Sequence, residues 1–73
     1  SGLAGIAHWI NTYFHLPEGK QVDKNTELVS IVKDWVDQEY ESGRVTVLTE
    51  EELLKVIDDA CRRTGVTLTA QED

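Results

Sequence analysis

Two histidines and one cysteine are the side chains of this sequence whose types best suit catalysis or metal binding. His8 and His15 are seven residues apart, which is two helical turns, or about 10 Å along a helix axis. Histidines that share a metal ion on one helix usually stand four residues apart, so this pair does not bind one ion by itself. Cys61 lies on the apolar side of a predicted helix with no histidine near it in sequence. We interpret it as a small core residue.

Other patterns that carry chemistry are missing or have a structural explanation. The acidic run Glu50, Glu51 and Glu52 lacks the alternating ligands and central glycine of a calcium loop, and helix capping explains it better. The sequence has no glycine-rich phosphate loop, no CxxC pair and no nucleophile elbow. Ser30 lies in the middle of a predicted helix, which excludes the phosphopantetheine site of an acyl carrier protein. We therefore predict no metal, no cofactor and no catalysis within these 73 residues alone.

The composition indicates one small acidic domain. Fourteen acidic residues against seven basic ones give a net charge of −7, which repels phosphate backbones and disfavours nucleic acid as a partner. No apolar run approaches the roughly 20 residues that span a bilayer, so we expect no membrane segment. A single cysteine fits a reducing compartment, and we predict a cytoplasmic protein.

The spacing of apolar residues predicts an all-α fold of three helices. We expect the first over Leu3–His15, the second over Thr26–Ser42 and the third over Glu50–Arg63. Residues 16–25 read as a loop, and residues 45–48 as a short extended connector. Residues 1–73 would form a single helical subdomain.

Capping signals mark the ends of these helices. Gly43 and Gly65 follow the second and third helices, where left-handed C-caps belong. Thr49 and Glu52 have the spacing of a capping box at the start of the third helix. The same Thr-x-x-Glu spacing recurs at Thr69, so a four-helix arrangement, with a further helix beginning there, is an alternative to the three-helix one.

The apolar stripes of the second and third helices predict the core. Glu39 falls inside the stripe of the second helix, and two explanations stay open: a solvated last turn, or a salt bridge to a partner surface. The predicted core residues are Leu28, Val32, Trp35, Leu53, Leu54 and Ile57.

The first predicted helix has an apolar half that is wider than one partner helix needs. Trp9, Tyr13 and Phe14 are our candidate interface residues on that half. An uncovered apolar patch of this size favours association. We expect a dimer through this helix that tightens as salt screens the net charge.

Two stretches of the chain resemble a known enzyme family. They are SGLAGIAHWIN at the start and VDKNTELVSIVKDWVDQEYESGRVTVLTEEEL further on. Together they look like the segment that follows the catalytic barrel in the alpha-isopropylmalate, homocitrate and citramalate synthase family, over roughly residues 1 to 60. Ser1, Gly2 and Gly5 resemble the Ser-Gly-x-His-Gly element of that family, with Ala4 where many members have histidine.

The resemblance implies a parent enzyme that condenses acetyl-CoA with a 2-oxo acid on a (β/α)8 barrel holding a divalent metal. It implies an acyltransferase of amino-acid biosynthesis. This chain would be a helical subdomain that packs on the barrel of the same chain and on a neighbouring protomer of a homodimer, and helps close the active site. His8, one turn after Ala4, is the candidate to replace the family's histidine. The alternative is an independent acidic helical module that binds another protein through the side carrying Trp9 and Trp35.

Overall fold

The computed structural model describes residues 2–69 and confirms the all-α expectation. Helix α1 spans Leu3–Tyr13, α2 spans Glu27–Glu41 and α3 spans Glu50–Thr64. A single 3-10 turn at Glu18–Lys20 interrupts the loop between α1 and α2. Each helix bound lies within two residues of its predicted position. The fourth helix predicted from Thr69 onward falls mostly outside the described residues.

Helix α2 is the central element, because it packs against α1 on one side and α3 on the other. Its positions 28, 29, 32 and 36 follow the spacing of a helix with one buried face, and all four are buried. Helix α1 adds two buried residues and α3 another two, while one comes from the loop after α1. The buried core is Ala7, Ile10, Leu16, Leu28, Val29, Val32, Val36, Ile57 and Ala60.

The predicted core is confirmed for Leu28, Val32 and Ile57, and it is wrong in degree for three other residues. Trp35 and Leu53 are only partly buried against the core, and Leu54 is also partly exposed. The physical reason is that α1 and α3 both pack on α2, and within residues 2–69 no further helix covers the outer flanks of α2 and α3.

Helices α1 and α2 end in the same cap geometry with different residues. After α1, the N–H groups of His15 and Leu16 bond the carbonyls of Thr12 and Asn11 at 3.2 and 3.0 Å. This is the Schellman pattern, and it places the non-glycine residue His15 at φ 54°. After α2, the same pattern uses Gly43 at φ 102°. The two caps turn the chain sharply at both ends of the α1–α2 pair.

Helix α3 begins at the predicted residue, ends one residue later than predicted, and has both predicted caps. The Thr49 hydroxyl accepts from the backbone N–H of Glu52, and the Glu52 carboxylate accepts from the N–H of Thr49, both at 3.1 Å. Gly65 closes the helix in the left-handed conformation. The capping box and the glycine C-cap are thus both confirmed.

The side chain of Asn11 fastens the loop after α1 to that helix. The Asn11 amide donates to the carbonyl of Val22, and its oxygen accepts from the Val22 N–H, both at 2.8 Å. This two-point contact mimics a strand-like backbone pairing. It holds the loop against α1 and lets buried Leu16 join the core.

Candidate functional site

The three aromatic side chains predicted as interface residues form one continuous stack on α1. Trp9 and Tyr13 lie parallel, with ring centroids 5.0 Å apart and an interplanar angle of 9°. Tyr13 and Phe14 meet edge to face at 5.1 Å and 74°. We term these three residues the aromatic ladder. Trp9 and Phe14 are half-buried, and Tyr13 is exposed. Such stacking fixes the rings in one arrangement, which suits a contact surface.

An apolar cleft of about 190 Å³ opens beside the ladder, between α1 and the α2–α3 pair. Trp9 belongs to both the ladder and the cleft wall. Almost all of the lining is hydrocarbon, so the cleft suits an aliphatic or aromatic side chain better than a charged ligand. Its lining residues are Gly5, Ile6, Trp9, Ile10, Val32, Val36, Leu48, Leu53 and Ile57.

A second, more open groove of about 540 Å³ runs between α2 and α3 and contains Trp35. Its rim carries charges of both signs, and Arg63 is paired with Asp59 at 3.6 Å. No residue is shared between this groove and the apolar cleft. Trp9 and Trp35 therefore line two separate depressions.

The most concentrated polar arrangement surrounds Arg44, just after the α2 cap. Its guanidinium donates to both oxygens of Glu52 at 2.6 and 2.7 Å, and to Glu39 at 3.0 Å. It also donates to the carbonyls of Thr46 and Val47, both at 3.1 Å. The paired contact with Glu52 is the bidentate geometry that only arginine supplies. Arg44 thus joins the end of α2 to the start of α3.

This network explains why Glu39 lies in the apolar stripe of α2 and why the connector of residues 45–48 is bent. The Glu39 carboxylate is neither simply solvated nor left for a partner, because it pairs with Arg44 inside the chain. The connector was predicted to be extended, and it bends instead at Thr46. The cause is that Arg44 draws two successive carbonyls of the connector toward one guanidinium.

The network also shifts the acid–base behaviour of its members. The hydrogen bonds from Arg44, and then that from the backbone N–H of Thr49, lower the pKa of Glu52 to about 2 from an ordinary 4.5. The hydrogen bond to Glu52 raises the pKa of Arg44 still further above its high ordinary value. The ion pair therefore stays charged across the neutral and mildly acidic range.

The structure places the other candidates apart from one another. His8 is exposed on α1, and His15 is exposed in the cap that follows this helix. Cys61 is partly buried against the core, and that burial, with the charge of Asp58, raises the pKa of its thiol. A raised pKa makes a thiol a poorer nucleophile at neutral pH. Ala4, at the position of the family's histidine, is exposed.

Sequence reasoning missed two residues that organise the molecule, Arg44 and Asn11. Arg44 had a detectable signal, because it is the single base among five glutamates between positions 39 and 52. Asn11 had none, since an asparagine on the polar side of a helix usually faces water. Across residues 2–69, no three His, Cys, Asp or Glu side chains are grouped to hold a metal ion. In that same part of the chain, no helix is both long and apolar enough to cross a membrane.

Comparison with known proteins gives two relatives, both named citrate (Re)-synthase. The chain is 45% identical over 53 residues to the enzyme of Clostridium kluyveri, a match covering 73% of this chain and 12% of the relative. It is 49% identical over 53 residues to that of Syntrophus aciditrophicus, covering 73% of this chain and 8% of the relative. No family model matches the chain. No solved structure matches it either.

These relatives carry the name of a citrate synthase rather than of the isopropylmalate, homocitrate or citramalate synthases that the sequence resembles. The chain spans about a tenth of their length. The chain is therefore similar in sequence to one segment of a condensing synthase, at a level that supports a related synthase as its origin.

Proposed function

We propose that this chain is a helical subdomain of a larger synthase that forms citrate from acetyl-CoA and a 2-oxo acid. The observation that carries the proposal is the identity of 45–49% over 53 residues to two citrate (Re)-synthases. Their names favour citrate as the product over isopropylmalate, homocitrate or citramalate. Residues 1–73 would form one subdomain after a catalytic barrel, in an acyltransferase of the cytoplasm.

The task of the subdomain is to pack, not to react. Its aromatic ladder and its apolar cleft lie side by side and share Trp9. An apolar face of this kind suits contact with a barrel or with the neighbouring protomer of a homodimer. By covering part of the parent's active site, the subdomain would help to exclude water from the condensation.

The divalent metal and the acetyl-CoA of the proposed parent would bind outside this chain. Residues 2–69 do not bring three metal-ligating side chains together. His8 is exposed and has no acidic or basic partner of its own among the ion pairs of the described residues. If His8 contributes to catalysis in the parent enzyme, it does so by contacting an active site that lies outside this chain.

The proposal is tested on the native protein that carries this sequence. Peptides from residues 1–73 should be found in a polypeptide several times larger than the 8.2 kDa of this chain. The purified protein should form citrate from acetyl-CoA and oxaloacetate. A native polypeptide of about 8.2 kDa would contradict the proposal and favour the alternative, an independent acidic helical interaction module.

The packing role has its own test in the same full-length enzyme. We expect Tyr13→Ser to weaken the association of protomers and to lower citrate formation, because it removes the middle ring of the ladder. Thr12→Ser, at an exposed neighbouring position outside the ladder, is the matched control. Equal activity and equal sedimentation of the two variants would remove the ladder from the interface.

A further inference from the structure

The connector between α2 and α3 presents two valines almost entirely to solvent. Val45 is 94% exposed and Val47 is 81% exposed. Residues 45–48 are termed here the valine connector. Single exposed apolar side chains are common on protein surfaces, so exposure by itself does not mark a site. The distinguishing feature is how firmly the backbone that carries these two side chains is held.

Arg44 fixes the valine connector from both flanks. Its Nε donates to the carbonyl of Thr46 and its Nη2 to that of Val47, both at 3.1 Å. The same guanidinium is bound to Glu39 on α2 and to Glu52 on α3. The two valines are thus displayed on a backbone tied to two helices. A displayed segment of this kind loses little conformational freedom on binding, which favours a specific contact.

The charge around the valine connector restricts what can cover it. Residues 39–52 contain five glutamates and one arginine, a net charge of −4, against −7 for the whole chain. Glu50 and Glu51 are exposed next to the connector. A second copy of the same surface would bring like charges together and is disfavoured. A partner that buries the two valines needs a basic rim.

We infer that Val45 and Val47 dock into an apolar depression rimmed by lysine and arginine side chains, in the part of the parent enzyme outside residues 1–73. This inference rests on the proposed function and adds a second contact surface to the aromatic ladder. The valines supply the buried apolar contact, and the exposed Glu50 and Glu51 beside them orient the approach. The contact should weaken as ionic strength rises, because the rim charges are screened.

The test places a photo-crosslinker, p-benzoylphenylalanine, at position 47 of the full-length protein. Light should join this position to a peptide outside residues 1–73 that contains lysine or arginine beside apolar residues. The same crosslinker at Lys24, which is exposed in the loop before α2, is the positional control. The yield from position 47 should exceed that from position 24 several-fold and should fall as salt is added.

A matched pair of charge reversals tests the basic rim. Glu51 and Glu27 are both exposed and both lie in the first turn of a helix, α3 and α2 respectively. Glu51→Lys should lower the crosslink yield from position 47 several-fold, whereas Glu27→Lys should leave it unchanged. Equal yields from positions 47 and 24 would overturn the docking inference while the citrate-forming assignment stands. Crosslinks to a separate protein, or between two connectors, would overturn the choice of partner.

Discussion

The aromatic ladder of α1 and the valine connector are built in opposite ways. Helix α1 contains no Asp, Glu, Lys or Arg, and it is held on α2 by apolar packing. The connector makes its contacts through one arginine and the two glutamates that flank it in the fold. A contact through the ladder should tighten when salt screens the net charge, and one through the connector should weaken. We therefore expect the two proposed surfaces to respond to ionic strength in opposite directions.

The largest expected effect concerns how α1 is attached. Ile10 is fully buried between α1 and the rest of the core, so Ile10→Ala should cost about 2–5 kcal/mol in the free energy of unfolding. A domain of this size has little more than that to lose. Urea unfolding followed by circular dichroism measures the change, with exposed Thr12→Ala as the control. An unchanged midpoint for Ile10→Ala would mean that α1 is held by something other than core packing.

The stability of the connector should depend on the forked shape of the Arg44 guanidinium and not only on its charge. Arg44→Lys keeps the charge but loses the fork that binds Glu52 at two points. We expect a fall in melting temperature that is smaller than that of Ile10→Ala. Arg62→Lys is the matched control, because the side chain of Arg62 is 69% exposed beside Asp58, and such surface pairs contribute little. Equal melting temperatures of the two lysine variants would show that the network around Arg44 is no stronger than an ordinary surface pair.

Acid should weaken the contact between Arg44 and Glu52, whereas a change of pH within the neutral range should not affect it. The pKa of Glu52 is lowered to about 2 in the folded chain from an ordinary 4.5. A lowered pKa means that folding favours the ionised form, so its stabilisation is complete above pH 4.5 and is lost as the pH falls toward 2. As the pH is lowered between these limits, the melting temperature of Glu52→Gln should fall less than that of the native chain. Glu51→Gln, at an exposed neighbouring position, should follow the native chain.

The sequence predicted what depends on neighbours within one helical turn, and it missed what depends on contacts across elements. The capping box of Thr49 and Glu52 spans three residues and is confirmed. Arg44 reaches Glu52 eight residues away, and this contact exists only because the α2 cap turns the chain toward α3. Trp35 has the periodicity of a core residue, yet it is partly exposed, because periodicity does not reveal how many layers surround a helix. The ladder stays a predicted interface, now with a defined geometry.

The caps of α1 and α2 permit a sharper comparison of backbone strain. Gly43 has a φ of 102°, and a Cβ added there would meet no atom within 4 Å. Any cost of Gly43→Ala is therefore backbone strain and not a steric clash. We expect a loss of about 1–2 kcal/mol, the range for an L-residue in a left-handed conformation. Thermal unfolding of Gly43→Ala beside Gly19→Ala provides the measurement, since Gly19 is equally open but has no positive φ.

The smallest expected effect has the opposite sign. His15 occupies in the α1 cap the position that Gly43 occupies in the α2 cap, at φ 54°. His15→Gly removes the left-handed strain but gives the unfolded chain more freedom, so the two terms partly cancel. We expect a net gain of about 0.5 kcal/mol. His15→Val should lose stability instead, because a β-branched residue adopts this conformation least readily. A loss of stability in His15→Gly would contradict this expectation and show that the added freedom of the unfolded chain outweighs the relieved strain.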